Sequence, residues 1–204
     1  MRVRARQVIS LDGFAAGPRQ SLDNPFGEGG MRLPQWQFEL DEPGHEGDAA
    51  VIADSVDNVG AYVMGRNMFG PVRGDWSTWP GEWRGWWGEE PPYHTPVFVL
   101  THHDREPLVM EGGTTFSFVT DGFDSALRQA REAAGEQDVC IAGGVSTVRQ
   151  GLAAGVIDEL TLHVVPLVLG EGERTFDGLD GLSLEPLDVV ASPTVTHLRY
   201  RPRR

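Results

Sequence analysis

The chain has 204 residues, 40% of them hydrophobic and 23% charged. That is room for one domain with a core, here expected over residues 1–204, and it excludes a chain disordered throughout. The formal net charge of -13 is opposite in sign to a nucleic-acid footprint or a polybasic membrane surface, so neither partner is expected.

The charge is unevenly placed. All 17 basic residues are Arg, and seven lie at the ends: Arg2, Arg4, Arg6, Arg199, Arg201, Arg203 and Arg204. Residues 7–198 therefore hold 10 Arg against 30 acids, a formal -20. Alternating Arg residues fit the outward faces of two strands, paired with acids of the body; a site for an anion or a partner is the other reading. One cysteine, Cys140, excludes an intramolecular disulfide and a Cys-rich metal site, and suits a reducing cytoplasm. The first residues lack the apolar stretch of a signal peptide, and no run of about 18 apolar residues predicts a membrane span.

In chain order, Val3 to Ser10 reads as a strand, followed by a Gly/Pro/Asn-rich loop from Asp12 to Pro34. Gly47 to Val59 predicts a helix, and Ala61 to Met64 a short apolar strand ending at Gly65. Residues 70–94 form a Gly/Pro/Trp-rich insert. Pro96 to Thr101 and Thr115 to Thr120 read as strands, and Asp124 to Ala134 as a helix. Val139 to Ala142 is a strand, Gly143-Gly144 a turn, and Ser146 to Ala154 a helix. Leu160 to Leu169 is an apolar strand interrupted by Pro166, which predicts a bulge or an edge. Leu184 to Val190 and Thr194 to Tyr200 form a closing hairpin around Ser192-Pro193. Strands alternating with helices predict an α/β fold, and the hairpin makes the sheet mixed.

Three strand ends carry chemistry. Val139 to Ala142 runs into Gly143-Gly144 and a helix starting near Ser146 and Thr147. Such a helix N-terminus offers unpaired N–H donors and the positive end of a dipole to an anion; a structural Gly-Gly turn is the plainer reading, because the G-x-G-x-x-G spacing is incomplete. The strand ending at Gly65 continues into Arg66-Asn67, which places a guanidinium suited to phosphate at a turn. PVFVL ends in Thr101, His102 and His103, where open α/β sheets place ligands. Together the three ends suit one dinucleotide: pyrophosphate at Gly143-Gly144, a ribose phosphate at Arg66, adenosine near Thr101-His102. Arg149 is a further candidate for local positive potential.

The motifs SLDGFAAG, VMGR, VLTHH and IAGGVSTVRQGLAAGVIDELTLHVVPLVLGEGERTF come in the order seen in the dihydrofolate reductase-like superfamily. Over roughly residues 3 to 200 the chain most resembles the reductase domain of the bifunctional riboflavin-biosynthesis deaminase-reductase and its stand-alone relatives. The resemblance implies a mixed, mostly parallel central sheet with antiparallel C-terminal strands and helices on both faces. It also implies NADPH, hydride transfer and a homodimer. By motif, Gly65, Arg66 and Asn67 would hold the adenosine 2′-phosphate side, with Thr101 and His102 beside it. Gly143, Gly144, Val145, Ser146 and Thr147 would hold the pyrophosphate. Ala16 and Gly17 would lie near the nicotinamide ribose, and Ile9 and Ala142 would line the floor where nicotinamide and substrate meet.

The catalytic candidates are Asp12, His163 and Asp48. Asp12 is the acid of SLDG, where Asp before Gly also favours a turn. His163 falls where the family's strand faces the substrate; a hydrogen-bonded core histidine is its other reading. Folate-reducing relatives carry a carboxylate on the helix before VMGR. Asp48 is near that position, with Asp54 and Asp57 in competition.

Five of six Trp residues lie between Trp76 and Trp87. Clustered Trp supplies apolar area with a polar handle: local packing, a lid in which Trp76 and Trp79 line the substrate pocket, or a dimer contact. Adjacent His102-His103 and the absence of zincin or facial-triad spacing predict no metal. The functional expectation is a reductase acting on a small molecule, either a flat pterin- or pyrimidine-like heterocycle or a carbonyl or imine. The competing expectation is a dinucleotide-binding or regulatory protein without turnover.

Overall fold

In the computed structural model residues 1–71, 74–79 and 81–203 are described; Arg204 and positions 72, 73 and 80 of the Trp-rich insert lie outside the described residues. The strands are β1 (Val3–Ser10), β2 (Phe14–Ala16), β3 (Val59–Gly65), β4 (Pro96–Leu100), β5 (Leu108–Val109), β6 (Thr115–Val119), β7 (Asp138–Gly143), β8 (Glu159–Val165), β9 (Glu173–Arg174), β10 (Ser183–Ala191) and β11 (Thr196–Arg203). The helices are α1 (Glu46–Val56), α2 (Arg66–Phe69), α3 (Phe123–Ala134) and α4 (Val145–Ala154).

Parallel strands covered on both faces read as continuous apolar runs. β3 and β7, buried along almost their whole length, are of this kind. They lie at the middle of a nine-stranded sheet of order β10-β11-β8-β1-β7-β3-β4-β6-β5. The six strands from β8 to β6 are parallel; β5, β11 and β10 are antiparallel to their neighbours. The sheet is mixed and mostly parallel with antiparallel C-terminal strands, as the resemblance implies. β2 and β9 form a separate two-stranded ribbon.

On one face Val3, Ala5 and Ile9 of β1 pack with Phe123, Ala126, Leu127 and Ala130 of α3 and Val145, Val148 and Leu152 of α4. The apolar residues of α3 recur at helical spacing and make one stripe. α4 stops at Gly155, whose positive φ of 67° lets its N–H turn back to Gly151 and Leu152. The other face carries Tyr62, Met64, Cys140 and Ala142 under Phe69, Tyr93 and Phe116. Beside them Leu33, Trp36, Val165, Leu167 and Val195 form a third cluster.

Two expectations change. Pro166 ends β8 at Val165 rather than bulging it, and β8 lies inside the sheet between β1 and β11. The Arg residues of β1 are not an outward face, because β1 is an interior strand covered by α1. Arg4 is buried, and its guanidinium donates to the carbonyls of Asp54 and Ser55, both at 3.2 Å, and Asp57 at 2.9 Å. It therefore caps α1, which ends at Val56, earlier than its apolar spacing predicts. Pairing with acids holds elsewhere: Arg2 with Asp138 at 3.0 Å, Arg199 with Asp188 at 3.3 Å, Arg201 with Glu185 at 3.5 Å.

Among the described residues no helix is long and apolar enough to cross a membrane, and no group of three or more His, Cys, Asp or Glu could hold a metal ion. Replacing Arg4 with Leu should cost about 3 kcal/mol of unfolding free energy, since a buried cation's hydrogen bonds are lost and three carbonyls are left without it. The exposed Arg201→Leu should cost under about 0.5 kcal/mol. Urea unfolding of the two variants checks the contrast.

Candidate active site

The carboxyl ends of β3, β4 and β7 lie side by side, which is where a parallel sheet leaves backbone groups uncovered. Gly143 has a φ of +132°, a conformation that a side chain disfavours. Gly144 then caps α4, and its carbonyl accepts from the N–H groups of Thr147 at 3.0 Å and Val148 at 3.1 Å, so the N–H groups of Val145 and Ser146 are the ones without a carbonyl partner in the helix. A Cβ on Gly144 would meet nothing within 4 Å, so open space stands over this positive helix end. A Cβ on Gly65 would sit 2.7 Å from Thr147 Oγ1. Only a glycine lets the end of β3 approach the first turn of α4 so closely. The structure thus brings Gly65, Gly143, Gly144, Val145 and Thr147 together; Ser146 is exposed on the same turn.

Arg66 opens α2 directly after Gly65. Its Nη1 donates to Thr101 Oγ1 at 3.2 Å, and its Cζ lies 3.8 Å from the centroid of the Trp76 ring. Trp76 donates in turn to the His103 carbonyl at 2.9 Å. Asn67 and His102 are exposed beside this group.

The substrate-pocket expectations fare differently. Trp76 packs on Phe69 and Phe118 in the Arg66 group, not on Ile9. Trp79 stands edge-to-face on Trp83, whose indole donates to the Phe69 carbonyl at 3.0 Å, and Trp83 continues to Trp86. These contacts are local packing of the insert. Ile9 is a correction: the alternation of β1 turns it into the core under α3 and α4, whereas Ala142 lies on the opposite face. Val8 shares with Arg6 the face opposite Ile9 and packs against the third cluster.

Around the other loops the backbone is tightly packed. Ala16 pairs with Glu173 in the β2–β9 ribbon, and a Cβ on Gly17 would sit 2.0 Å from the Glu28 carbonyl oxygen. Asp12 accepts from Ser10 Oγ at 2.6 Å and from the N–H groups of Leu169 at 3.1 Å and Gly170 at 2.7 Å. These bonds, that from Ser10 first, hold its carboxyl down at about 2. Asp12 is therefore a clamp between the loops after β1 and β8. Arg149 donates to the Arg174 carbonyl, tying α4 to β9.

Asp48 and His163 do meet, indirectly and in company. His163 Nδ1 lies 2.7 Å from His197 Nδ1, His197 Nε2 lies 2.8 Å from Asp48 Oδ1, and His45 Nδ1 lies 2.6 Å from Asp48 Oδ2. All four side chains are buried. Burial pushes the Asp48 carboxyl up, but hydrogen bonds from His197, His45 and Ser192 outweigh it and hold the group below its ordinary value. Burial, then His197 and Arg6, push His163 down to about 3, against the opposing pull of Asp48. Trp36 lies on both imidazoles, with ring centroids 5.1 Å from His163 and 5.0 Å from His197. Sequence reasoning missed Trp36, His45 and His197. The His45-x-x-Asp48 spacing at a helix start was the available signal.

The profile of the RibD C-terminal domain matches residues 2–198. The chain belongs to the RibD C-terminal domain family. Among solved structures it is similar to a putative riboflavin biosynthesis protein from Shewanella sp. PV-4, at 25% identity and a TM-score of 0.64 over the whole of both chains. RibD from Acinetobacter baumannii is similar at 17% identity and a TM-score of 0.59, over 99% of this chain and 58% of that one. A dihydrofolate reductase from Enterococcus faecalis shares the fold at 14% identity and a TM-score of 0.52, over 100% of this chain and 97% of that one. No curated protein sequence matches the chain.

In this RibD-type domain the buried histidine makes stability depend on pH. His163 faces His197 of β11, Asp48 and His45 at the head of α1, and Arg6 of β1. Its folded value of about 3 lies below the unfolded value of about 6.5. The unfolded chain therefore takes the proton first as pH falls. Stability is full above about pH 6.5 and declines below it by up to ~1.4 kcal/mol per pH unit until the folded group titrates. Asp48, with its lowered value, adds a loss of the same sign at the acid end. Urea midpoints from pH 7.5 to 4.5 should fall, and His163→Asn should flatten the upper part of that slope.

Proposed function

We propose that this chain is an NADPH-dependent reductase of small molecules, a homodimer in the cytoplasm, acting on a flat pyrimidine- or pterin-like heterocycle or on a carbonyl or imine. The observation that carries it is the contact of Gly65 with Thr147 at the mouth of β3 and α4, with open space over Gly144 and Arg66 next along the chain. Two glycines and a helix start suit a pyrophosphate, and a flat guanidinium beside it suits a ribose 2′-phosphate. The family relation supports the same reading: a Thermotoga maritima protein of this fold is a diaminohydroxyphosphoribosylaminopyrimidine deaminase/5-amino-6-(5-phosphoribosylamino)uracil reductase, and the Enterococcus structure is a complex with NADP(H).

When bound, the nicotinamide supplies the hydride. The chain's own part is to bind and orient. Val145 and Ser146 offer N–H groups to the pyrophosphate. Arg66, lying against Trp76 and hydrogen-bonded to Thr101, meets the 2′-phosphate. Ala142 and Val8 offer an apolar floor on the α1 side of the sheet. Asp12, Asp48 and His163 are all held in hydrogen bonds within the protein. That observation keeps a second reading in play: dinucleotide binding without turnover. Quenching of protein fluorescence by NADPH with no consumption across a panel of pterins, pyrimidines and small carbonyls would favour it.

Arg66→Ala should weaken NADPH at least about tenfold, the scale of one lost charge-assisted contact, and leave NADH nearly unchanged. Equal loss of both would sink the 2′-phosphate assignment. Gly144→Val places a side chain in the open space over α4. Its melting temperature should stay near the wild type while NADPH binding falls by more than about tenfold, measured on one sample by calorimetry and fluorescence.

A further inference from the structure

The hydrogen bonds of the buried set have a direction, and Asp48 sets it. An ionised carboxylate only accepts. Its two oxygens are 2.8 Å from His197 Nε2 and 2.6 Å from His45 Nδ1, so both of these nitrogens carry the proton. A neutral imidazole has one N–H, which leaves His197 Nδ1 with a lone pair. That lone pair faces His163 Nδ1 at 2.7 Å, so His163 Nδ1 donates and His163 Nε2 is left bare. A second proton on His197 would instead bury an imidazolium on the sheet face that already carries Arg6.

The bare nitrogen has a place in the fold. In imidazole Nδ1 and Cδ2 flank Cγ on opposite sides. With Nδ1 turned to β11, the Cδ2–Nε2 edge of His163 is turned toward β1, where Val8 is its register partner. The next residue of β1 on that face is Arg6. Among the described residues Arg6 has no carboxylate partner, and its guanidinium donates to Ser55 Oγ at 2.7 Å. A cavity of about 290 Å³ between α1 and the sheet is lined by Arg6, Ser55 and His197 together with the carboxylates of Asp54, Glu159 and Asp188; His163 is not part of its wall. An acceptor-only imidazole and a cation with no carboxylate partner thus share the α1-side face of the sheet. Nothing else in the mechanism uses either.

We infer that Asp48, His197 and His45 are positioning residues that fix His163 as a hydrogen-bond acceptor over β1, and that the ligand taken there presents an N–H or O–H donor to His163 Nε2 beside Arg6. Only the naming of that ligand as a substrate rests on the reductase reading. In this arrangement Asp48 holds no proton, and the one on His163 Nδ1 is engaged by His197.

The test is long-range ¹H–¹⁵N spectroscopy of the histidine-labelled full chain at pH 7. The expected protonation is Nδ1 alone on His163, Nε2 alone on His197 and Nδ1 on His45. His197→Gln, whose amide oxygen still accepts, should keep His163 protonated at Nδ1. His197→Leu removes the acceptor and should release His163 toward its Nε2–H form. An Nε2–H on His163 in the wild type, or no change in His197→Leu, overturns the positioning role. If His197→Leu does not fold, the wild type and His197→Gln still decide. For the ligand, 2-pyridone, which carries a ring N–H, should move the His163 Nε2 resonance upfield, and N-methyl-2-pyridone should not. An equal response to both, or none to either, overturns the donor requirement. NADPH titration of the same samples is a separate reading: its failure removes the reductase proposal and leaves the tautomer result standing.

Discussion

A strand covered on both faces has few places for polar chemistry. Its ends are open, and along its length every polar atom must find a partner within the protein. β1, β3, β4 and β7 are all under this constraint, and the molecule answers it in two ways. At the carboxyl ends, Gly65 lets β3 meet the first turn of α4, and Gly144 leaves open space over the start of that helix. Along the α1 side, Arg4 is saturated by three carbonyls of the α1 terminus, and His163 is saturated on one side by a chain ending on Asp48. The same helix α1 is thus fixed at both ends by sheet residues, at its head through Asp48 and His197 and at its tail through Arg4.

Much of the strand-end geometry was legible because it rests on local signals. IAGGVST announces a strand, a turn and a helix start within seven residues, VMGR a strand end and a helix start within four, and VLTHH a strand end within five. Gly, Arg and Thr act there through backbone geometry or a single charge, and both are properties of the residue itself. What was not legible depends on which face of a strand is covered. Ile9 and Val8 are equally apolar and adjacent, and only the packing of α3 and α4 decides which of them enters the main core. Arg2, Arg4 and Arg6 look alike by alternation, yet α1 lies over Arg4, and Arg2 turns to Asp138. The histidine set joins residues 34 and 149 positions apart, a spacing that no window along the chain can see. Pro166 marks the break in an apolar run, but the strand's interior position is set by β11, which comes 30 residues later.

The acidic excess also changes meaning once the contacts are known. Arg199 is shared among Asp54, Asp188 and Glu159, and Glu185 draws both Arg201 and Arg203. The terminal Arg residues are largely consumed in holding the ends of the chain to the sheet. A nucleotide would then meet a mainly negative surface, relieved locally at Arg66 and at the start of α4. Long-range attraction of an anionic ligand would be weak, so close-range donors must carry most of the affinity.

That places unusual weight on how Arg66 is held. A free arginine samples many rotamers, and ordering it on binding costs up to ~1.5 kcal/mol. Here Thr101 and the flat face of Trp76 already restrict the guanidinium, so much of that ordering is complete before a phosphate arrives. The tryptophan insert, which lays the Trp76 ring on this guanidinium, would thereby set the flexibility of the group proposed to read the ligand. A change in the insert would be felt as a change in affinity although no insert residue need touch the phosphate.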